Sequence, residues 1–225
     1  MSAERLGGRE LKRLLAAELF DAALDRIGRV PPRQAVSPLF GLFCSRDPLV
    51  RWRAVSAMGM VVARLAESEP ESARVVMRRC MWNLNEESGG IGWGCAEAMG
   101  ESLARSDVLA CEYGCILLAY LDPKGNFIDH PALQEGVVWG VGRLMRARPE
   151  FAPAAAELLL PFLADPVPAL RGLAAWAAAP AQDDRLAAAL AGLAGDEAPF
   201  ELYEDGRTTR PTVGAVARRS FSGRQ

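Results

Sequence analysis

The chain carries 225 residues, 50% hydrophobic and 24% charged, with a formal net charge of −2 and a pI near 5.6. That balance provides for a buried core and excludes disorder over most of the length. No apolar run approaches the roughly 18–20 residues that span a bilayer, and residues 1–20 lack a signal core, which places the expected site of action in the cytoplasm. Near-neutral charge excludes a protein whose affinity rests mainly on neutralising phosphates. The five cysteines (Cys44, Cys80, Cys95, Cys111 and Cys115) form no C-x-x-C pair, so they are expected to be reduced and mostly buried.

Helical periodicity dominates. In chain order the apolar spacing and the Pro, Gly and Asp-Pro breaks predict helices over 9–27, 32–45, 48–67, 70–84, 90–105, 107–121, 130–147, 150–164, 167–180 and 183–194. These come in pairs. The run from Asp47 to Gly59 aligns with Ser88 to Gly100 at a shift of 41, and a shift of 42 then reaches Val141-Gly142. A looser copy begins at Asp165-Pro166. A period near 40 with two helices per unit is the spacing of HEAT and armadillo repeats. Residues 151–200 hold 18 of the 38 alanines, which suits closely packed helices. After Pro199 the pattern changes: Asp205-Gly206 between two extended runs signals a hairpin, followed by a short helix from about Thr212 to Phe221.

Asp47-Pro48-x-Val50-Arg51-x-x-Ala54 resembles the second-helix signature of bacterial HEAT-like, armadillo-type repeat proteins, over roughly residues 30–180. The block from Trp82 to Gly94 resembles a bacterial family of such proteins of uncharacterised role. The resemblance implies an all-α fold, a HEAT-like α-solenoid of about five helix pairs over residues 1–195. Residues 196–225 are expected to form a small C-terminal β-hairpin and short helix as an extension, or a flexible tail.

Tryptophan placement is the sharpest functional signal. In the first full repeat Val50, Ala54, Met58, Val61 and Leu65 mark the core direction at 100° per residue, so Trp52 and Ser56 are expected to point away from it. In the aligned frame Trp93 takes the column of Trp52, while Trp139 and Trp176 take that of Ser56. Such a stripe is either a ligand groove or packing between repeats. Glu97, Glu101 and Glu135 share this face with Arg143 and Arg146, an acidic surplus that argues against nucleic acid and for a protein or peptide partner.

A second candidate cluster lies in two inter-helix loops, one carrying Asn83, Asn85, Glu86, Glu87 and Ser88 beside Trp82. The other holds Asp122, Lys124, Asn126, Asp129 and His130. Recognition of a cationic segment is one reading, and helix capping by Ser88 and Asp129 is the other. A single histidine and a Cys111/Cys115 pair without further ligands point to no metal site, and no motif implies a cofactor.

The preferred expectation is a binding scaffold. Small HEAT-like proteins also include alkylpurine DNA glycosylases, and such repeats occur in bilin lyases. A nucleotide-acting enzyme and a partner of a cofactor-bearing protein therefore stand as alternatives, although no catalytic residue can be assigned.

Overall fold

The computed structural model describes residues 6–86 and 92–222, and apart from one hairpin it is all-α. The helices are α1 (Gly8–Leu15), α2 (Phe20–Gly28), α3 (Pro32–Leu42), α4 (Pro48–Ser68), α5 (Pro70–Asn85), α6 (Cys95–Arg105) and α7 (Asp107–Ala119). They continue with α8 (Pro131–Ala147), α9 (Ala152–Leu163), α10 (Pro168–Ala177), α11 (Asp184–Gly192) and α12 (Val213–Ser222). Strands β1 (Leu202–Glu204) and β2 (Arg207–Thr209) pair between α11 and α12. No helix among the described residues is long and apolar enough to cross a membrane. The chain divides into two compact units, one of residues up to 110 together with 205–207, the other of 111–204 with the remaining C-terminal residues.

In the first unit α4 is the central helix, packed by α3, α5 and α6. Its start is fixed chemically: the Asp47 carboxylate accepts from the amides of Leu49 (3.0 Å) and Val50 (3.3 Å), and Pro48 occupies the first helical position. The column Val50, Ala54, Met58, Val61 and Leu65 is buried as the periodicity requires. The helix expected over 9–27, however, is two helices, α1 and α2, broken at 16–19. Arg53, itself buried, explains how the break is tolerated. Its Nη1 donates to the carbonyls of Leu15 (2.9 Å) and Ala17, and its guanidinium lies 5.0 Å from the Phe20 ring centre. The carbonyls that α1 leaves without a helical donor thus receive one from α4. Arg53 Nε also donates to the Gly206 carbonyl at 2.9 Å.

In the second unit α10 is central, packed by α8, α9 and α12. Gly142 of α8 sits so close to it that a Cβ would approach the Trp176 ring to 2.6 Å and Ala177 Cβ to 2.7 Å, so only glycine allows this contact. The Asp205-Gly206 turn has φ of 47° and 74°, both in the left-handed region that a tight hairpin demands. The cap expected of Asp129 is not made: His130 is the residue before α8, no side chain caps that end, and Pro131 takes the first helical position. The corresponding expectation for Ser88 lies outside the described residues, as does Glu87.

The cysteines depart from expectation. Cys80 and Cys95 are buried, but Cys44, Cys111 and Cys115 are exposed, and all five are free. Contact with Cys95, then burial, hold the Cys80 thiol well above its ordinary pKa.

Candidate functional site

The first unit holds Trp52 on α4, Trp82 near the end of α5, Trp93 in the turn before α6, and Glu97 in the first turn of α6. Trp52, Trp93 and Glu97 are half-buried, and Trp82 is 65% exposed. Of the residues expected in the loop beside Trp82, Asn83 and Asn85 lie instead in the last turn of α5, and they are tied locally. Asn83 Nδ2 donates to Cys95 Sγ at 3.6 Å, Asn85 Nδ2 donates to the Met81 carbonyl at 2.8 Å, and Glu86 is half-buried.

Two members of the expected face turn inward instead. Glu101 is 4% exposed, and Ser56 is buried and donates to its carboxylate at 3.2 Å. The other carboxylate oxygen pairs with Arg105 Nε at 3.1 Å. The cause is the close approach of α4 to α6 at Gly59, where a Cβ would come within 2.5 Å of Glu101 Cβ. With no side chain at 59 to hold the helices apart, positions 56 and 101 become a helix–helix contact. Glu101 is therefore an internal group paired with Ser56 and Arg105 rather than a charge offered to a partner.

In the second unit Trp139 and Trp176 come together. Their rings stack at 5.8 Å with an interplanar angle of 10°, and each is 2% exposed. The hairpin covers them. Trp139 Nε1 donates to the Tyr203 carbonyl at 3.0 Å, with the Tyr203 ring tilted against it at 6.1 Å. Trp176 Nε1 donates to Glu204 Oε1 at 2.6 Å, and Arg219 of α12 holds the other oxygen of that carboxylate at 2.9 Å. Arg146 lies 4.4 Å over the Trp176 ring and donates to its carbonyl at 2.9 Å. Both indole N–H groups and both ring faces are thus spoken for within the chain. These two tryptophans are packed within the chain, the second of the two alternatives that their spacing left open. Glu135 and Arg143 on α8 are half-buried, and Asn126, Asp129 and His130 are exposed on the connection between α7 and α8. That connection is pinned by its own backbone: the amides of Asn126 and Ile128 donate to the carbonyls of Ala119 and Tyr120, each at 3.1 Å.

The residues that complete the indole cluster, Tyr203, Glu204 and Arg219, were not among the sequence candidates. A signal for them exists: Phe200, Leu202 and Tyr203 are three large apolar residues beside a turn, too many for a strand without a surface to lie on. All three are buried, Phe200 against Gly172.

Elsewhere in the second unit a cleft of about 340 Å³ lies between residues 149–156 and 180–183, lined by Pro149, Pro153, Ala156, Pro180 and Asp183 among others. Its one acid is engaged. Arg185, together with the Leu186 amide, holds the Asp183 carboxyl down at about 2, and Asp183 caps α11. None of the sequence candidates lines this cleft. Among the described residues no three His, Cys, Asp or Glu side chains are grouped to hold a metal ion.

No family model matches the chain, and the search of curated proteins found no match. Solved structures are similar in fold. One engineered protein matches with a TM-score of 0.55 at 14% identity over 96% of this chain and 89% of its own. Another matches with a TM-score of 0.52 at 15% identity over 96% and 95%. A designed armadillo repeat protein in complex with the peptide (KR)4 reaches a TM-score of 0.47 at 15% identity over 94% and 98%. Identities this low speak for the fold alone, and a score below 0.5 carries no weight.

Proposed function

We propose that the protein is a binding scaffold of the HEAT-like, armadillo type found in bacteria, and that its docking surface lies in the first unit. Trp52, Trp82 and Trp93 supply aromatic anchors there, and Glu97 with Glu86 favours a protein or peptide segment carrying basic side chains. The single observation that carries this reading is the contrast in indole burial: Trp82 is 65% exposed, whereas Trp139 and Trp176 are sealed at 2%. An indole left in water retains most of the roughly 150–250 Å² that its burial by a partner would remove from solvent. A cytoplasmic setting agrees with five free thiols.

The test is affinity capture from native cells with the full chain, in parallel with the triple variant Trp52→Ala, Trp82→Ala and Trp93→Ala. Loss of a co-purifying protein with the helical circular dichroism unchanged supports the reading. Retention of every partner by a folded triple variant overturns it.

A further inference from the structure

Helix α7 carries a chemistry that the scaffold reading does not use. Its Leu109, Ala110, Tyr113, Leu117 and Leu118 are buried, and Gly114 lies so near the Phe151 ring that a Cβ would approach it to 2.3 Å. This contact fixes the rotation of the helix and turns positions 111 and 115 outward. Both positions are cysteine, both thiols are free, and both are exposed. Side chains four apart on a helix have Cβ atoms about 5–6 Å from each other on one face. Free cysteine is among the most buried of residue types, as Cys80 and Cys95 illustrate in this chain, so two exposed thiols one helical turn apart depart from the norm. Neither takes part in a hydrogen bond or ion pair among the described residues.

We propose that Cys111 and Cys115 form a two-thiol clip on the surface of α7 for a soft, thiophilic metal or metalloid ion of low coordination number. The ligand set selects the ion. With no third His, Cys, Asp or Glu grouped beside them among the described residues, the pair does not offer the four-ligand shell of a structural zinc site. Two sulfurs suffice for centres such as Cu(I) or trivalent arsenic, which prefer soft donors. With phenylarsine oxide the step balances without electron transfer. Two S–As bonds form, the arsenic–oxygen bond breaks, the two thiol protons leave with that oxygen as water, and arsenic stays trivalent. The competing pair, Cys80 with Cys95, is buried, and the raised pKa of Cys80 keeps its thiol protonated.

The experiment titrates the reduced full chain with phenylarsine oxide under inert gas, reading stoichiometry by intact mass and affinity by competition with a small dithiol. One arsenical per chain is expected. Cys111→Ser and Cys115→Ser should each weaken it on the order of a hundredfold, the advantage of two linked ligands over one. Cys44→Ser, which removes a lone exposed thiol, should leave it unchanged, as should Cys80→Ser with Cys95→Ser. Cu(I) titrated in the same variants should follow the same order. Undiminished binding by Cys111→Ser and Cys115→Ser overturns the proposal. So does loss confined to the Cys80/Cys95 variant, or an arsenical that bridges two chains.

Discussion

In the first unit three tryptophans keep part of their surface in water, whereas in the second two tryptophans of the same repeat pattern are stacked, hydrogen-bonded at both indole nitrogens and covered by a strand. Helical spacing is similar in the two places. What differs is whether the chain returns to lay Tyr203 and Glu204 on the ring faces. An aromatic stripe on a repeat helix is therefore undetermined by its own helix: it becomes core where a later segment supplies a carbonyl and a carboxylate, and surface where none arrives.

The contrast is broken first by truncating an indole in each unit. Trp139→Ala should cost about 4 kcal/mol in urea unfolding, because it empties a packed site and orphans the Tyr203 carbonyl. Trp82→Ala should change stability by less than about 0.5 kcal/mol, as exposed substitutions do. Comparable costs at the two positions would dissolve the distinction. Next comes the clamp of the first unit. Arg53→Met keeps volume but removes the donor to three carbonyls, and a loss of about 3 kcal/mol is expected in the same assay. In the second unit Glu204→Gln weakens the acceptor of Trp176 and Arg219 without removing it, for about 1 kcal/mol.

The smallest effect is electrostatic. Asp183 has a folded pKa of about 2 against an ordinary 3.8, so its contribution to stability is complete above 3.8 and disappears as pH falls through about 2. Asp183→Asn should flatten that stretch of the acid limb when urea midpoints are plotted against pH, with a small loss at neutral pH that vanishes as the two curves converge below about pH 2. Dynamic acrylamide quenching sharpens the comparison further: fluorescence of a variant retaining only Trp82 should be quenched several-fold more efficiently than that of one retaining only Trp139.

The repeat, the Asp47-Pro48 helix start, the core column of α4 and the hairpin at Asp205-Gly206 were all legible in the sequence, because each depends on residues within one or two helical turns. The misread features depend on distant partners. Residues 16–19 contain good helix formers, and the break there is supported by Arg53, more than 30 positions away. Ser56 and Glu101 stand on the expected outer face of their helices, yet Gly59 lets the two helices close over them. Trp139 and Trp176 are covered by groups 64 and 28 positions later in the chain. A helical wheel gives the direction of a side chain but not what will come to lie in that direction.

The Arg53–Gly206 hydrogen bond carries a consequence for biosynthesis. The first unit is discontinuous in sequence, since residues 205–207 count with it although residues 111–204 intervene. A ribosome working at about 5–20 residues per second delivers Gly206 roughly 5–20 s after Ala110. During that interval the nascent unit has a guanidinium poised among apolar groups with one acceptor still unsynthesised, so its last native contact must form late, and a truncated chain ending near Ala110 would never make it.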